Sequence, residues 1–228
     1  MPENRNIAIA IDGPSGAGKS TLARAVAREL NFLYVDTGAI YRTVGYCAWR
    51  SGVDAGDAPA VIALLPSLRI KMAYGSDGLQ RMYLNGEDVT DAIRLPEVSM
   101  YASQVSAIPE VRAFLMDMQR SMAEKGNVIM DGRDIGTVVL PGAQVKIFLT
   151  ASDEDRAMRR WRELQRRGTP RDFDELLAEL RQRDHNDRTR AASPLRPAEG
   201  AVTLDTTGNT FEKSRQEILT IIRERIQL

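Results

Sequence analysis

The chain has 228 residues, 43% hydrophobic and 27% charged, which is ordinary globular usage and room for one compact α/β unit with a smaller inserted module. Its 31 Lys and Arg balance 31 Asp and Glu, so net charge gives no reason to expect a nucleic-acid or membrane partner. The one cysteine, Cys47, excludes an internal disulfide framework, fits a reducing compartment and reads as a small buried hydrophobe. No apolar run approaches the ~20 residues of a membrane span. The opening MPENRNIAIAIDG lacks an apolar signal segment with a cleavage site, so a soluble cytoplasmic protein is expected.

Asn6–Ile11 (NIAIAI) is a short apolar run closed by Asp12-Gly13, the pattern of a buried parallel strand. A helical pattern through Leu22, Val26 and Leu30 follows. Phe32–Val35 is a second strand, closed by Asp36-Thr37-Gly38. Between it and the next core strand lie two β-rich runs, Leu68–Tyr74 and Leu79–Leu84, separated by Gly75-Ser76-Asp77-Gly78. Asp77-Gly78 is a hairpin signal, and Asn85-Gly86 turns into Glu87–Thr90. A small antiparallel module is therefore predicted here. Asn127–Met130 is the third core strand, closed by Asp131-Gly132; Val145–Leu149 is the fourth; Ala201–Leu204 is the fifth, closed by Asp205. Helices are predicted at about Gly38–Ser51, Glu110–Lys125, Ser152–Arg167, Phe173–Arg188 and Phe211–Ile226. This alternation argues for a parallel sheet wrapped by helices. Residues 1–62 and 112–228 are expected to form the core, with a lid at about 152–190, and residues 63–111 the insert.

Gly13-Pro14-Ser15-Gly16-Ala17-Gly18-Lys19-Ser20 matches the phosphate loop GxxxxGK[ST] in full. Successive backbone N–H groups there can wrap phosphate oxygens, and the helix opening near Lys19 adds the positive end of its dipole. Lys19 can reach the β and γ phosphates, and Ser20 can ligate Mg²⁺. No guanine-reading NKxD element follows Val145–Leu149, which counts against a regulatory GTPase. The short chain, the insert and an arginine-rich helical hairpin favour phosphoryl transfer to a small acceptor.

In an open parallel sheet ligands bind at the carboxyl ends of the strands. Asp36 and Arg42 are expected to face that crevice, although Thr37 also reads as a plain helix cap and Arg42 as a solvated residue. Asp131, directly after an apolar strand, is where such an enzyme places a Mg²⁺-side carboxylate. Arg133 and Asp134 follow it. Ser152-x-x-Asp155 reads as a capping box opening a helix with Arg156, Arg159, Arg160, Arg162, Arg166 and Arg167; Gly168-Thr169-Pro170 breaks it, and Asp172-x-x-Glu175 caps the next. Mobile arginines of such a hairpin can close over a triphosphate. Arg183, Asp187 and Arg190 share one face of the second helix at i, i+4 and i+7. His185, the only histidine, is off that face. Mg²⁺ is the expected metal.

Together these residues resemble the bacterial-type cytidylate kinases, a family of nucleoside monophosphate kinases, over nearly the full length. The matching blocks are IDGPSGAGKST (Ile11–Thr21), DTGAIYR (Asp36–Arg42), LNGEDVTDAIR (Leu84–Arg94), ASQVSAIPEVR (Ala102–Arg112), DGRDIGTVVLP (Asp131–Pro141), VKIFLTAS (Val145–Ser152) and RQRDHNDRTRAASPL (Arg181–Leu195). The resemblance implies a P-loop NTPase fold with a five-stranded parallel sheet, an inserted CMP-binding module and a helical lid. It implies transfer of the γ-phosphoryl group of ATP to CMP or dCMP. Carried over by position, the ATP side comprises Gly13 to Ser20, Thr21 and Arg156. Arg42 and Arg133 would hold the acceptor phosphate; Thr37, Ser103, Arg112 and Asp134 would surround the cytosine; Arg183 and Asp187 would reach the ribose, and Arg190 would complete the site. Lys19, Arg133, Arg160 and Arg190 are the expected catalytic charges, and Ser20, Asp36 and Asp131 the expected Mg²⁺ set, partly through water. The partners expected are ATP and CMP or dCMP alone, with the chain a monomer. Two rivals stand beside this reading: another small-molecule P-loop kinase, and a nucleotide-binding switch that performs no transfer.

Overall fold

The apolar runs of the sequence pair into one parallel sheet, and the β-rich segment between them pairs with itself. The computed structural model describes residues 6–166 and 168–226. In chain order its elements are β1 (Ala8–Asp12), α1 (Lys19–Leu30), β2 (Leu33–Asp36), α2 (Thr37–Arg50), α3 (Ala58–Leu64), β3 (Ile70–Tyr74), β4 (Gln80–Leu84), β5 (Glu87–Asp88), α4 (Pro96–Val105), α5 (Pro109–Glu124), β6 (Val128–Gly132), β7 (Val145–Thr150), α6 (Asp153–Arg166), α7 (Phe173–Thr189), β8 (Val202–Asp205) and α8 (Phe211–Ile226). A π-helical turn, Ile135–Val139, follows β6.

Two compact units divide the chain: Met1–Tyr34 with Ala123–Leu228, and Val35–Met122. The sheet order is β2-β6-β1-β7-β8. β1 lies centrally, with Ile11 opposite Asp131 and Asp12 opposite Gly132 on β6, and Asp12 opposite Phe148 on β7. This register sets the residues that follow β1 and β6 side by side at the carboxyl edge. Ile9 and Ile11 of β1, Ile129 of β6, and Val145, Ile147 and Leu149 of β7 are buried against Leu22, Ala23 and Val26 of α1 and Ile218, Leu219 and Ile222 of α8. Burial on both faces explains why these strands read as unbroken apolar runs. At β2 the chain leaves the first unit: Tyr34 belongs to it, and Val35 opens the second.

The second unit holds the three-stranded antiparallel sheet β3-β4-β5, and α2 packs on α4. β3 pairs with β4 from Ile70↔Leu84 to Tyr74↔Gln80, so a five-residue loop, not a tight two-residue turn at Asp77-Gly78, closes the hairpin. Asp77 Oδ1 accepts the Leu79 N–H across that loop at 3.0 Å. The unit is wider than the 63–111 module expected from the sequence. The reason is the packing of α2 on α4, which groups residues on both sides of the β hairpin. Two short helices were not foreseen. Asp57 caps α3 by accepting the Ala60 N–H at 3.1 Å, and α4 opens on Pro96.

Candidate functional site: a phosphate loop beside a carboxylate–guanidinium cluster

In the first unit the loop Gly13–Gly18 joins β1 to α1. Gly13 has φ +148°, and a Cβ there would lie 1.9 Å from the Leu149 carbonyl oxygen, so only glycine lets the loop leave β1 against β7. Lys19 is buried, and its Nζ donates to the Pro14 carbonyl at 2.7 Å. Burial, and then the positive charge of Arg133, push its pKa down to about 7, against the opposing pull of Asp131. Ser20 Oγ donates to Asp131 Oδ2 at 2.8 Å, and the Tyr34 hydroxyl donates to Asp131 Oδ1 at 2.9 Å. The serine of the loop thus meets a carboxylate near the end of β6. Thr21 is exposed on α1.

The residues after β6 meet the end of α7. Arg133 Nε donates to Asp187 Oδ2 at 2.9 Å, and Arg190 Nη2 lies 3.9 Å from Asp134 Oδ1. Burial opposes charge on Asp187, but Arg133, Arg183 and Arg190 outweigh it and hold the carboxyl below its ordinary value. Asp134, Asp187 and the Arg190 side chain are nearly inaccessible to solvent. Arg190 is the C-cap of α7, and its Nε donates to the Ser193 carbonyl at 2.8 Å. His185 is exposed, away from the cluster.

Arg156, expected on the ATP side of the lid, is 1% exposed. Its Nε donates to the Ala151 carbonyl at 3.0 Å and its Nη1 to the Ser15 carbonyl at 2.7 Å. Its Nη2 meets Asp153 Oδ1 at 2.5 Å and Asp184 Oδ2 at 2.6 Å. With its donors so committed, Arg156 braces the phosphate loop against α6 and α7 through the backbone. Arg159 does likewise, donating to the Thr206 carbonyl at 2.7 Å and to Ala17 O at 3.4 Å. Arg160 instead is more than a third exposed and pairs with Glu163 at 2.8 Å. Arg167 lies outside the described residues. Both capping signals hold: the Asp155 N–H donates to Ser152 Oγ, and the Glu175 N–H to Asp172 Oδ1.

In the second unit Asp36, not Thr37, caps α2. Its Oδ1 accepts the Ala39 N–H at 2.9 Å and its Oδ2 pairs with Arg42 Nη2 at 2.7 Å. Burial opposes its charge, but Arg42 and the Ala39 N–H prevail and hold its carboxyl below the ordinary range. Gln80 of β4 grips the backbone of the same residue, with Oε1 on the Asp36 N–H at 2.8 Å and Nε2 on its carbonyl at 3.1 Å. Thr37 is buried in the first turn. Arg112 of α5 is buried, lies over the Tyr41 ring at 5.4 Å and donates to the Ser106 carbonyl at 3.1 Å. Ser103 is half-buried on α4. Cys47 is buried, as its small apolar character predicted.

Sequence reasoning passed over Tyr34, Gln80, Asp184 and Asp12. None sits in a motif that names its partner. Only the sign of Asp12, an acidic residue closing an apolar strand, was visible beforehand. Among the described residues no three His, Cys, Asp or Glu side chains gather as a metal-binding group, and no helix is long and apolar enough to cross a membrane.

Residues 9–224 match the cytidylate kinase family profile. A cytidylate kinase of Desulfitobacterium hafniense is 48% identical over 98% of this chain and 95% of its own. One of Caldicellulosiruptor bescii is 49% identical over 94% of this chain and 95% of its own. Among solved structures, an uncharacterized protein from Eubacterium ventriosum shares the fold with TM-score 0.52 at 13% identity, over 96% of this chain and 99% of that one. Family match, high identity and near-complete mutual coverage agree with the geometry of the first unit, and this chain belongs to the cytidylate kinase family.

Proposed function

We propose that the chain transfers the γ-phosphoryl group of ATP to CMP or dCMP, giving ADP and CDP or dCDP. The observation that carries this is electrostatic. Asp131, which accepts the Ser20 hydroxyl of the phosphate loop at 2.8 Å, stands two residues before Arg133, which pairs with Asp187 at 2.9 Å, and Arg190 lies 3.9 Å from Asp134, so the loop and the Arg133–Asp187–Arg190 cluster meet at one charged edge of the sheet. Phosphoryl transfer asks for positioning and charge neutralisation more than for a covalent side-chain nucleophile. A phosphate oxygen of the acceptor attacks the γ-phosphorus in line, the bond from that phosphorus to the β–γ bridging oxygen breaks, and ADP leaves with the electron pair. Gly13–Ser20 and Thr21 bind the donor; Lys19, Arg133 and Arg190 neutralise charge as the phosphoryl group passes, and Arg160 supplies the same from the lid.

The acceptor is assigned Arg133, Asp134, Arg183, Asp187 and Arg190 in the first unit and Thr37, Arg42, Ser103 and Arg112 in the second, on family resemblance. Asp134 accepts from the cytosine amine, where uracil presents a carbonyl oxygen that a carboxylate repels, so UMP is disfavoured by orders of magnitude. The hard oxygen donors of Ser20 and Asp131, already 2.8 Å apart, suit Mg²⁺. Bound there, Mg²⁺ supplies charge neutralisation on the donor phosphates. Asp36 belongs to the second unit, where its oxygens serve the α2 cap and Arg42, and is left out of that set. A monomer working in the cytoplasm completes the proposal.

A coupled ADP-release assay with ATP and a panel of acceptors is the test. Turnover with CMP and dCMP well above UMP and AMP supports the reading. Equal rates on UMP or AMP would point to another small-molecule kinase, and slow hydrolysis without acceptor dependence to a switch.

A further inference from the structure

Asp12 is the last residue of β1, immediately before the phosphate loop, and has no part in the reading above. It is 3% exposed, and both of its oxygens are used. Oδ1 accepts the Ile135 N–H at 2.8 Å and Oδ2 the Gly136 N–H at 2.7 Å. These are the first two N–H groups of the π-helical turn Ile135–Val139, whose N-cap is Asp134. Helix starts leave such donors without partners inside the helix. Asp134 itself does not cap the turn through its side chain; its carbonyl accepts the Val138 N–H at 2.9 Å. Asp12 does that capping from a neighbouring strand. Burial raises the pKa of Asp12, the Gly136 and Ile135 N–H groups oppose that rise, and the nearby charge of Asp134 adds a smaller upward push.

We infer that Asp12 is a positioning residue for the acceptor: by holding the Ile135 and Gly136 N–H groups it fixes where Arg133 and Asp134 point, and it ties that turn to the first residue of the phosphate loop. Charge-assisted, paired hydrogen bonds to consecutive N–H groups are short and directional, which is what a reader of base identity requires. The inference rests on the assignment of Asp134 to cytosine.

The test is Asp12→Asn in the full chain. An amide keeps the volume but offers one acceptor and turns a donor toward the second N–H. The CMP-to-UMP ratio of kcat/KM should fall by about tenfold, while KM for ATP changes less than about threefold. Gly136→Ala approaches the same contact from the other side: its Cβ would stand 3.4 Å from Asp12 Oδ2 and 3.0 Å from the Ala198 Cβ. It should relax selectivity in the same direction, and it serves if Asp12→Asn does not fold. Asp134→Ala runs in parallel. If it leaves the ratio unchanged, the cytosine assignment is wrong. If it collapses the ratio while Asp12→Asn and Gly136→Ala lower only melting temperature or affect both substrates equally, Asp12 is a structural residue and the inference is overturned.

Discussion

Lys19 carries a prediction that can be worked through. Burial and Arg133 hold its pKa at about 7, far below the ordinary 10.5. At about pH 8, roughly one lysine in ten then carries its proton. A triphosphate seated on Gly13–Ser20 brings opposite charge to the Nζ and favours the ammonium form. Binding of Mg²⁺·ATP at about pH 8 should therefore take up roughly 0.9 proton, and affinity should fall about tenfold per pH unit above pH 7. The sign follows from the ligand preferring the protonated form, so affinity is fully present below the shifted pKa and declines above it. Calorimetry in two buffers of different ionisation enthalpy measures the proton count, with Lys19→Met as reference. Zero uptake in the native chain, or equal uptake in Lys19→Met, refutes the argument.

Asp187→Asn removes the carboxylate that Arg133, Arg183 and Arg190 share; the uncompensated charges should destabilise the chain by about 3 kcal/mol, a melting drop of roughly 6–12 °C, and calorimetry showing no drop would count against the cluster as a structural unit. Arg156→Ala strips partners from Asp184 and the Ser15 carbonyl, so the expected loss is again about 3 kcal/mol of stability, together with weaker ATP binding; a change confined to KM for ATP would return Arg156 to direct nucleotide contact. Asp12 has its pKa pushed up to about 6 from 3.8, chiefly by burial. The stability its proton supplies is present below about pH 4 and lost as pH rises through about 6, so native unfolding free energy should fall relative to Asp12→Asn across that window, and parallel denaturation curves would contradict it.

The amino-acid sequence by itself determined the parallel core, the phosphate loop and the segment that pairs with itself. These depend on local pattern: unbroken apolar runs for strands buried on two faces, glycines where the loop must leave β1, and capping residues such as Ser152 and Asp172. It also carried the family, because DGRDIGTVVLP and RQRDHNDRTRAASPL keep their spacing on a single chain. Tertiary structure decided which polar groups answer which. Arg156 and Arg160 look alike in a basic helix, yet one is buried against Ser15, Asp153 and Asp184 and the other is more than a third exposed beside Glu163. Asp36 and Asp131 both close apolar strands, yet one takes an arginine and the other the loop serine. Asp12 binds N–H groups more than 120 residues away. A buried charge is stable only with its partner in place. That partner is chosen by strand register and helix packing, which no local stretch of residues records.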